Sequence, residues 1–167
     1  RPEIVALAIV AVVIGLVTRF FTRSSLWLDE ALTVNIANAP LGQIAEYLKH
    51  DGHPPLYYFF LHGWMELFGS GDVASRSLSG FFGVLTLPLI WIIARRKGGP
   101  TLGWIAVAVV AVSPFAVRYS NEARMYSLVM LLVAIGWLLI DDVIDRGKAT
   151  LPRFFGIAVV GAVLLYT

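Results

Sequence analysis

Long apolar blocks constrain this chain more than any other feature. No charged residue interrupts the sequence at 4–17, 78–94, 102–117, 126–140 or 154–167. A helix of about 17–25 apolar residues can cross the hydrocarbon core of a bilayer, and these blocks approach or reach that length. An open strand in lipid would leave its backbone N–H and C=O groups unsatisfied. The blocks therefore predict an all-α fold, a polytopic bundle of transmembrane helices.

The composition agrees with a membrane protein and excludes several other classes. The chain is 58% hydrophobic and only 14% charged, whereas soluble domains carry about 25% charged residues. The net charge of +2 is small and the basic residues are scattered, so we expect no nucleic-acid partner. The absence of cysteine excludes disulfides, thiolate metal sites and a cysteine nucleophile.

The two ends of the sequence suggest a piece of a longer protein. The chain starts at Arg1 without a methionine, and it stops inside an apolar run. No small-residue cleavage site follows the first apolar block, so we interpret that block as a membrane anchor and not as a secretory signal. We expect the remainder of the protein to lie outside this sequence.

The polar stretch 18–76 is predicted to be one long loop that carries helices at the membrane surface. Residues 56–68 are too few to cross the bilayer comfortably. Apolar side chains nevertheless recur there at helical spacing, which suits a helix in the interface. These are Leu56, Phe59, Phe60, Trp64 and Leu67. A second stripe consists of Leu41, Ile44, Ala45 and Leu48.

This assignment fixes the predicted topology. If 56–68 does not cross, then the long loop and the segment 118–124 share one side of the membrane. The Arg95-Arg96-Lys97 turn and residues 141–153 share the other side. Basic residues concentrate in cytoplasmic loops, so the compact basic turn is predicted to be cytoplasmic and the long loop extracytoplasmic. In this scheme Arg19 belongs to the long loop and counts among the basic residues of its side.

Two short polar segments stand out as candidate sites. Asp29 and Glu30 follow the first span, and charge beside a bilayer is costly enough to suggest a function. The alternative is that Asp29 caps a short helix and Glu30 complements its dipole. In the second segment, 118–126, Asn121 is a candidate cap for the following helix and Glu122 lies in the first turn. Here the alternative is ordinary anchoring of Arg and Tyr at the interface.

Brought together on one face, the two segments supply specific chemistry. Asp29 and Glu122 are carboxylates that can serve as a general base. Three arginines can bind a phosphate with their forked donors, namely Arg76, Arg118 and Arg124. Trp27 and Trp64 are candidates to line a sugar or lipid groove, with interface anchoring as their alternative role. A site at the level of the headgroups suits a substrate that is part lipid and part polar.

At this point the sequence resembles a family. Three motifs carry the resemblance: Trp27-Leu28-Asp29-Glu30-Ala31, His53-Pro54-Pro55-Leu56-Tyr57-Tyr58, and Arg118-Tyr119-Ser120-Asn121-Glu122-Ala123-Arg124-Met125-Tyr126. In order and spacing they resemble the first half of GT-C glycosyltransferases, in the branch related to protein O-mannosyltransferases and lipid A aminoarabinose transferases. The resemblance implies transfer of a hexose or pentose from a polyprenyl-phosphate donor to a lipid, glycan or protein acceptor. It also implies an active site on the outer face of the bacterial plasma membrane.

The resemblance implies roles for individual residues. Asp29 corresponds to the acid that activates the acceptor, Glu30 supports it, and Glu122 falls where relatives often carry a second acid. These three form the predicted catalytic set. The predicted donor-binding or substrate-binding residues are His53, Tyr57, Arg76, Arg118, Asn121, Arg124 and Tyr126.

No cofactor is predicted, because a polyprenyl phosphate can leave without a metal. A divalent metal at His50, Asp51 and His53 stays open as an alternative, although their spacing is not a metal-ligand pattern. A protein of another class also stays open: a non-catalytic transport or assembly subunit with a GT-C-like fold. Transporters usually carry charge near the middle of the bilayer on broken helices, whereas these polar residues gather at one interface.

Overall fold

The computed structural model describes residues 2–21, 24–147 and 150–167, with the side chains of His50, Asp51 and Arg146 also outside the description. The described residues form helices and no strand. In chain order the helices are α1 Pro2–Phe20, α2 Leu28–Ala37, α3 Leu41–Asp51, α4 Leu56–Phe68, α5 Asp72–Val112, α6 Pro114–Ser120, α7 Tyr126–Arg146 and α8 Leu151–Leu165. The prediction of an all-α fold is confirmed.

Three of these helices are long and apolar enough to cross a membrane. They are α1, α5 and residues 126–145 of α7, and α8 is a shorter apolar helix. The four helices contain or overlap all five apolar blocks of the sequence, and the block at 102–117 continues from α5 into α6. The helices thus form an α-helical membrane bundle, as the sequence predicts.

Helix α5 is a hairpin of two arms. Gly98 and Gly99 leave helical geometry, with φ of −147° and +76°, and a positive φ of this kind favours glycine. The rings of Trp91 and Trp104 lie 6.0 Å apart, whereas thirteen residues of straight helix would separate them by about 20 Å. Gly103 packs directly on Trp91. The chain therefore turns back at residues 98–99, next to the basic turn.

The last turn of α1 differs from the prediction. The long loop was expected to begin at residue 18, but α1 continues to Phe20 and Arg19 is only 1% exposed. Nη1 of Arg19 donates to the carbonyls of Gly15 and Ala111, at 2.8 and 2.6 Å, and Nη2 donates to Val110 at 3.2 Å. Ala111 and Val110 end the second arm of α5, where carbonyls lack helical partners. Arg19 is therefore a buried residue of α1 that donates to the end of the second arm of α5, and its assignment to the long loop was wrong.

Helices form at the two segments where the apolar stripes predicted them, as α3 and α4. Ile44 and Leu48 of α3 pack with Ile36 and Tyr58. In α4 the packed face is Tyr57, Tyr58, Leu61 and Met65. The neighbouring apolar face, which includes Phe60 and Leu67, stays exposed. The group α2–α4 thus packs through one face and presents apolar side chains on another.

The far end of the bundle is held by ion pairs. Lys97, in the turn of α5, pairs with Asp141 of α7. Arg153 of α8 pairs with Asp142 at 2.9 Å. The basic turn and the connection between α7 and α8 therefore lie together, as predicted. Residues 76 and 97 are about 30 Å apart along one helical arm, so this end is distant from Arg76.

Candidate active site

Helix α2 starts with a cap made by Glu30. Trp27 is the N-cap residue, and its backbone N–H lies 3.3 Å from Oε2 of Glu30, three residues later. Asp29 lies in the first turn but is not the cap. The alternative interpretation of Asp29 as a helix cap was therefore wrong, and its carboxylate is left for another role.

Glu30 is fully buried at a junction of three segments. Its Oε1 accepts hydrogen bonds from Nε of Arg76 and from the backbone N–H of Ala123, both at 2.8 Å. Its Oε2 accepts from Nη2 of Arg76 and from Trp27. The side chain is 0% exposed. Glu30 therefore ties the start of α2 to α5 and to the segment before α7.

These bonds control the protonation of Glu30. Burial by itself would raise the pKa of the carboxyl, since it disfavours the charged form. The hydrogen bonds from Arg76, Ala123 and Trp27, together with the positive charge of Arg76, outweigh burial and lower the pKa below its usual value. Glu30 is a fixed anion whose oxygens are already occupied.

Most hydrogen-bond donors of the Arg76 guanidinium are likewise engaged. Besides the two bonds to Glu30, Nη1 donates to the carbonyl of Ser24 at 2.6 Å and Nη2 donates to Ser25 at 3.0 Å. The residue is 5% exposed. Arg76 thus fixes the chain that enters α2, and it has few donors left for a phosphate.

An open cleft of about 270 Å³ lies over this junction. Its lining is Ser24, Trp27, Glu30, Arg76, Arg118, Asn121 and Glu122. Arg118 donates from Nε to Glu122 at 3.0 Å, and the arginine side chain is 72% exposed. The structure therefore brings five of the predicted site residues to one surface.

Asn121 does not cap the following helix. It ends α6, while the N-cap of α7 is Met125. The Nδ2 group of Asn121 donates to the carbonyl of Thr18 at 2.8 Å. The capping prediction for Asn121 was wrong, because this side chain is used to join the segment 118–124 to the end of α1.

Arg124 lies on the other side of Ala123 and is 6% exposed. Its Nη1 is 3.4 Å from the backbone carbonyl of Asp29 and 3.3 Å from Oγ1 of Thr33. Its Nη2 is 3.4 Å from Nε2 of His53. The guanidinium also lies 5.9 Å from the ring centre of Tyr126. Residues from all three motifs therefore meet around Arg124.

Tyr57 lies beneath the site. It is 1% exposed, and its hydroxyl is 2.8 Å from Oγ of Ser79, which donates to the carbonyl of Arg124 at 3.0 Å. Burial raises the pKa of Tyr57 above its ordinary value. The residue was predicted to contact substrate, and in this position it supports the backbone of Arg124 from below.

The charged residues of the site differ in whether they form ion pairs. Glu30 and Glu122 each bind an arginine, Arg76 and Arg118 respectively. Within the described parts of the chain, the carboxylate of Asp29 forms no ion pair. Arg124 likewise contacts no carboxylate there, and its Nε has no hydrogen-bond partner. Asp29 and Arg124 are thus the unpaired charges of the site, and they touch through the backbone of Asp29.

Sequence reasoning missed several supporting residues. Ser79 and Thr33 were not singled out, whereas Trp27 was a candidate to line a groove and lies on the wall of the cleft. Thr33 lies one turn after Asp29 on α2, so helical periodicity offered a signal for it. Ser79 had none, because its partner Arg124 is 45 residues away. No group of three His, Asp or Glu suited to a metal occurs among the described side chains, which leave out His50 and Asp51.

A comparison with the families of known proteins identifies the family of this chain. The family model of dolichyl-phosphate-mannose-protein mannosyltransferases matches residues 52–166, more than half of the chain. The chain belongs to this family. It is therefore a membrane glycosyltransferase of the GT-C type, and the resemblance described from the motifs is confirmed. No curated protein and no solved structure matches the chain significantly.

The mannosyltransferase-family match covers only part of the site. It includes His53, Arg76 and the segment 118–126, while Asp29 and Glu30 precede it. Contacts join the two parts, since Glu30 binds Arg76 and the backbone of Ala123. The first acidic motif is therefore built into the same site as the residues within the family match.

Proposed function

We propose that this mannosyltransferase-family protein transfers a sugar from a polyprenyl-phosphate donor to an acceptor hydroxyl, with Asp29 as the general base and Arg124 as the phosphate ligand. The pattern of charge pairing carries the proposal. Two of the three carboxylates and two of the three arginines already neutralise each other. The remaining carboxylate, Asp29, and the remaining arginine, Arg124, are neighbours. A transfer reaction with an anionic leaving group requires a proton acceptor and a cation in one site.

The surroundings of Arg124 support a phosphate ligand. A buried cation is costly without a counter-charge. Its contacts to oxygen are 3.3 and 3.4 Å long, beyond the usual 2.7–3.2 Å range of N–H···O bonds. A phosphate would add the missing negative charge and shorter, charge-assisted bonds. The nearby His53 is a further polar contact for the same ligand.

The position of Asp29 supports a role as base. It is partly exposed and lies in the first turn of α2, where the helix dipole stabilises a carboxylate. Its backbone is held by the contact with Arg124 and by Oγ1 of Thr33, which donates to the Asp29 carbonyl at 2.8 Å. Glu30, in contrast, has both oxygens engaged, so we propose a positioning role for it. Glu122 is the second choice for the base.

The proposed reaction is a single displacement. Asp29 accepts the proton of the acceptor hydroxyl, and the acceptor oxygen forms a bond to the anomeric carbon. The bond between that carbon and the phosphate oxygen breaks, and its electron pair leaves with the polyprenyl phosphate. Arg124 stabilises this leaving anion, where preorganised positive charge contributes most to rate. We propose no metal for this step, because the leaving group is a monophosphate.

We also propose that the site opens on the extracytoplasmic face. The basic turn at residues 95–97 lies at the opposite end of the first arm of α5 from Arg76. Basic turns of this kind favour the cytoplasm. The acceptor is a lipid, a glycan or a protein hydroxyl, and the donor sugar is a hexose or a pentose.

Substitution of Asp29 tests the proposal. In the purified full-length protein, Asp29→Asn should bind the lipid-phosphate sugar normally and lose about 10²–10⁴-fold in single-turnover rate. Glu46→Gln is a matched control, because Glu46 is an exposed acid of α3 that pairs with the exposed Lys49. Near-normal turnover of Asp29→Asn would transfer the role of base to Glu122.

A further inference from the structure

The indole ring of Trp27 is an exposed aromatic surface on the wall of the cleft. The residue is 46% exposed, although the cleft floor beside it is the buried pair of Glu30 and Arg76. It belongs to none of the hydrophobic clusters of the described residues. No ring contact or hydrogen bond involves its indole in that part of the chain. The ring therefore has no packing role that explains its position.

The backbone of Trp27 is nevertheless held firmly. Its N–H lies 3.3 Å from the Glu30 carboxylate, and its carbonyl accepts from Ala31 at 2.9 Å. Because Arg76 and Ala123 hold the same carboxylate, the ring is attached to the most strongly bonded point of the site. Replacing the indole alone leaves these backbone bonds in place.

The polar groups around the ring are of the types that bind hydroxyls. Glu122 offers a carboxylate, and the exposed Arg118 offers donors beyond the Nε bound to Glu122. The Oδ1 atom of Asn121 has no donor among the described residues. The faces of sugar rings carry C–H groups that pack on aromatic surfaces, while their edges carry hydroxyls. An aromatic wall next to a carboxylate, a guanidinium and an amide suits such a molecule.

The size of the cleft limits what can bind. Its volume of about 270 Å³ is below the roughly 300–1,000 Å³ of sites for drug-sized ligands. This volume is enough for one sugar ring. Its polar lining also does not suit a polyprenyl tail, which needs an apolar groove.

We propose that this cleft binds one monosaccharide ring, with Trp27 as the stacking surface. The inference rests on the proposed glycosyl transfer and adds the place where the sugar is held. The ring belongs either to the donor or to a sugar on a glycan acceptor. The chemistry of recognition is the same in both cases, and binding measurements separate them.

The test compares two lipids that differ only in the sugar. The full-length protein is titrated with dolichyl-phosphate mannose and with dolichyl phosphate, for the wild type, Trp27→Leu and Trp27→Phe. Loss of aromatic stacking should weaken binding of the sugar-bearing lipid by roughly tenfold in Trp27→Leu. Binding of dolichyl phosphate should not change, and Trp27→Phe should retain most of the affinity. Trp27→Ala is a second truncation if Trp27→Leu does not fold.

A control variant separates sugar binding from membrane anchoring. Trp137→Leu removes a tryptophan of similar exposure, 53%, from the apolar helix α7, and it should bind both lipids as the wild type does. If the ring belongs to the acceptor, both lipid affinities stay unchanged in Trp27→Leu and the KM for a glycan acceptor rises.

Two results would overturn the sugar site. One is an equal loss of affinity for both lipids in Trp27→Leu, which would indicate that Trp27 contacts the phosphate or the lipid. The other is unchanged donor affinity together with unchanged acceptor KM. Failure of the wild type to bind either lipid would instead count against the proposed function, so the two ideas can fail separately.

Discussion

Glu30 and Arg76 form a two-point ion pair in the interior, with Nε of the arginine 2.8 Å from Oε1 of the glutamate. The pair joins α2 to α5, and its two residues are 46 positions apart in the sequence. It also orients both neighbours of Glu30 that matter for the site, Asp29 and the backbone of Trp27.

Removing one partner of this pair should destabilise the protein strongly. Glu30→Ala leaves the buried guanidinium of Arg76 without its counter-charge, and the expected loss is about 3–5 kcal/mol of unfolding free energy. Glu30→Gln combined with Arg76→Met should cost less than the two single changes added together. Denaturation in detergent measures the wild type, the three single variants and the double variant. Additive losses would show that the two side chains do not act as a pair.

Acid should weaken the same junction. The pKa of Glu30 is lowered in the folded state from an ordinary value of 4.5, so the unfolded chain binds the proton first as the pH falls. The stabilisation is therefore complete above about pH 4.5 and is lost as the pH falls through the lower folded pKa. The difference in melting temperature between wild type and Glu30→Gln should shrink below about pH 4.5. A constant difference down to about pH 3 would contradict the assignment.

Lysine should not replace Arg124. Arg124→Lys keeps the charge but loses the planar fork that grips phosphate at two points. A charge-assisted hydrogen bond contributes roughly 1.5–3 kcal/mol, so affinity for a polyprenyl-phosphate sugar should fall about tenfold or more. Arg96→Lys is the control, since Arg96 is an exposed arginine of the basic turn, distant from the site. Equal affinity of Arg124→Lys and wild type would shift the phosphate role to Arg118.

Labelling of single cysteines should separate the two ends of the bundle. The sequence contains no cysteine, so one can be introduced at Leu28 or Arg118, which are exposed near the site, and at Lys97. A membrane-impermeant reagent added outside intact cells should modify the first two positions and not the third. Modification of the cysteines at positions 28 and 118 from opposite sides of the membrane would contradict a shared site.

Much of the fold could be predicted because its signals are local. The apolar blocks and the stripes of α3 and α4 depend on residues within a few turns of one another. The turn at Gly98 and Gly99 follows a basic cluster, as expected for a short membrane hairpin. Even the gathering of the three motifs followed from counting the spans between them.

The pairing of charges could not be predicted in the same way. Glu30 and Asp29 are adjacent and chemically alike in the sequence, and only the fold shows that one is buried against Arg76 and the other is unpaired. Asn121 resembled a helix cap, but its partner is Thr18, 103 residues away. Such contacts depend on how distant helices pack, which a local pattern does not contain.

Arg19 has a consequence for how the protein is made. Its carbonyl partners in α5 lie 91 and 92 residues later in the chain, so they do not yet exist when α1 leaves the ribosome. At about 5–20 residues per second the wait is on the order of ten seconds. A lone arginine in a membrane helix is costly and turns towards the interface during that time. We therefore expect the first helix to reach its final depth only after the α5 hairpin has been inserted, so that the order of synthesis sets the order of assembly.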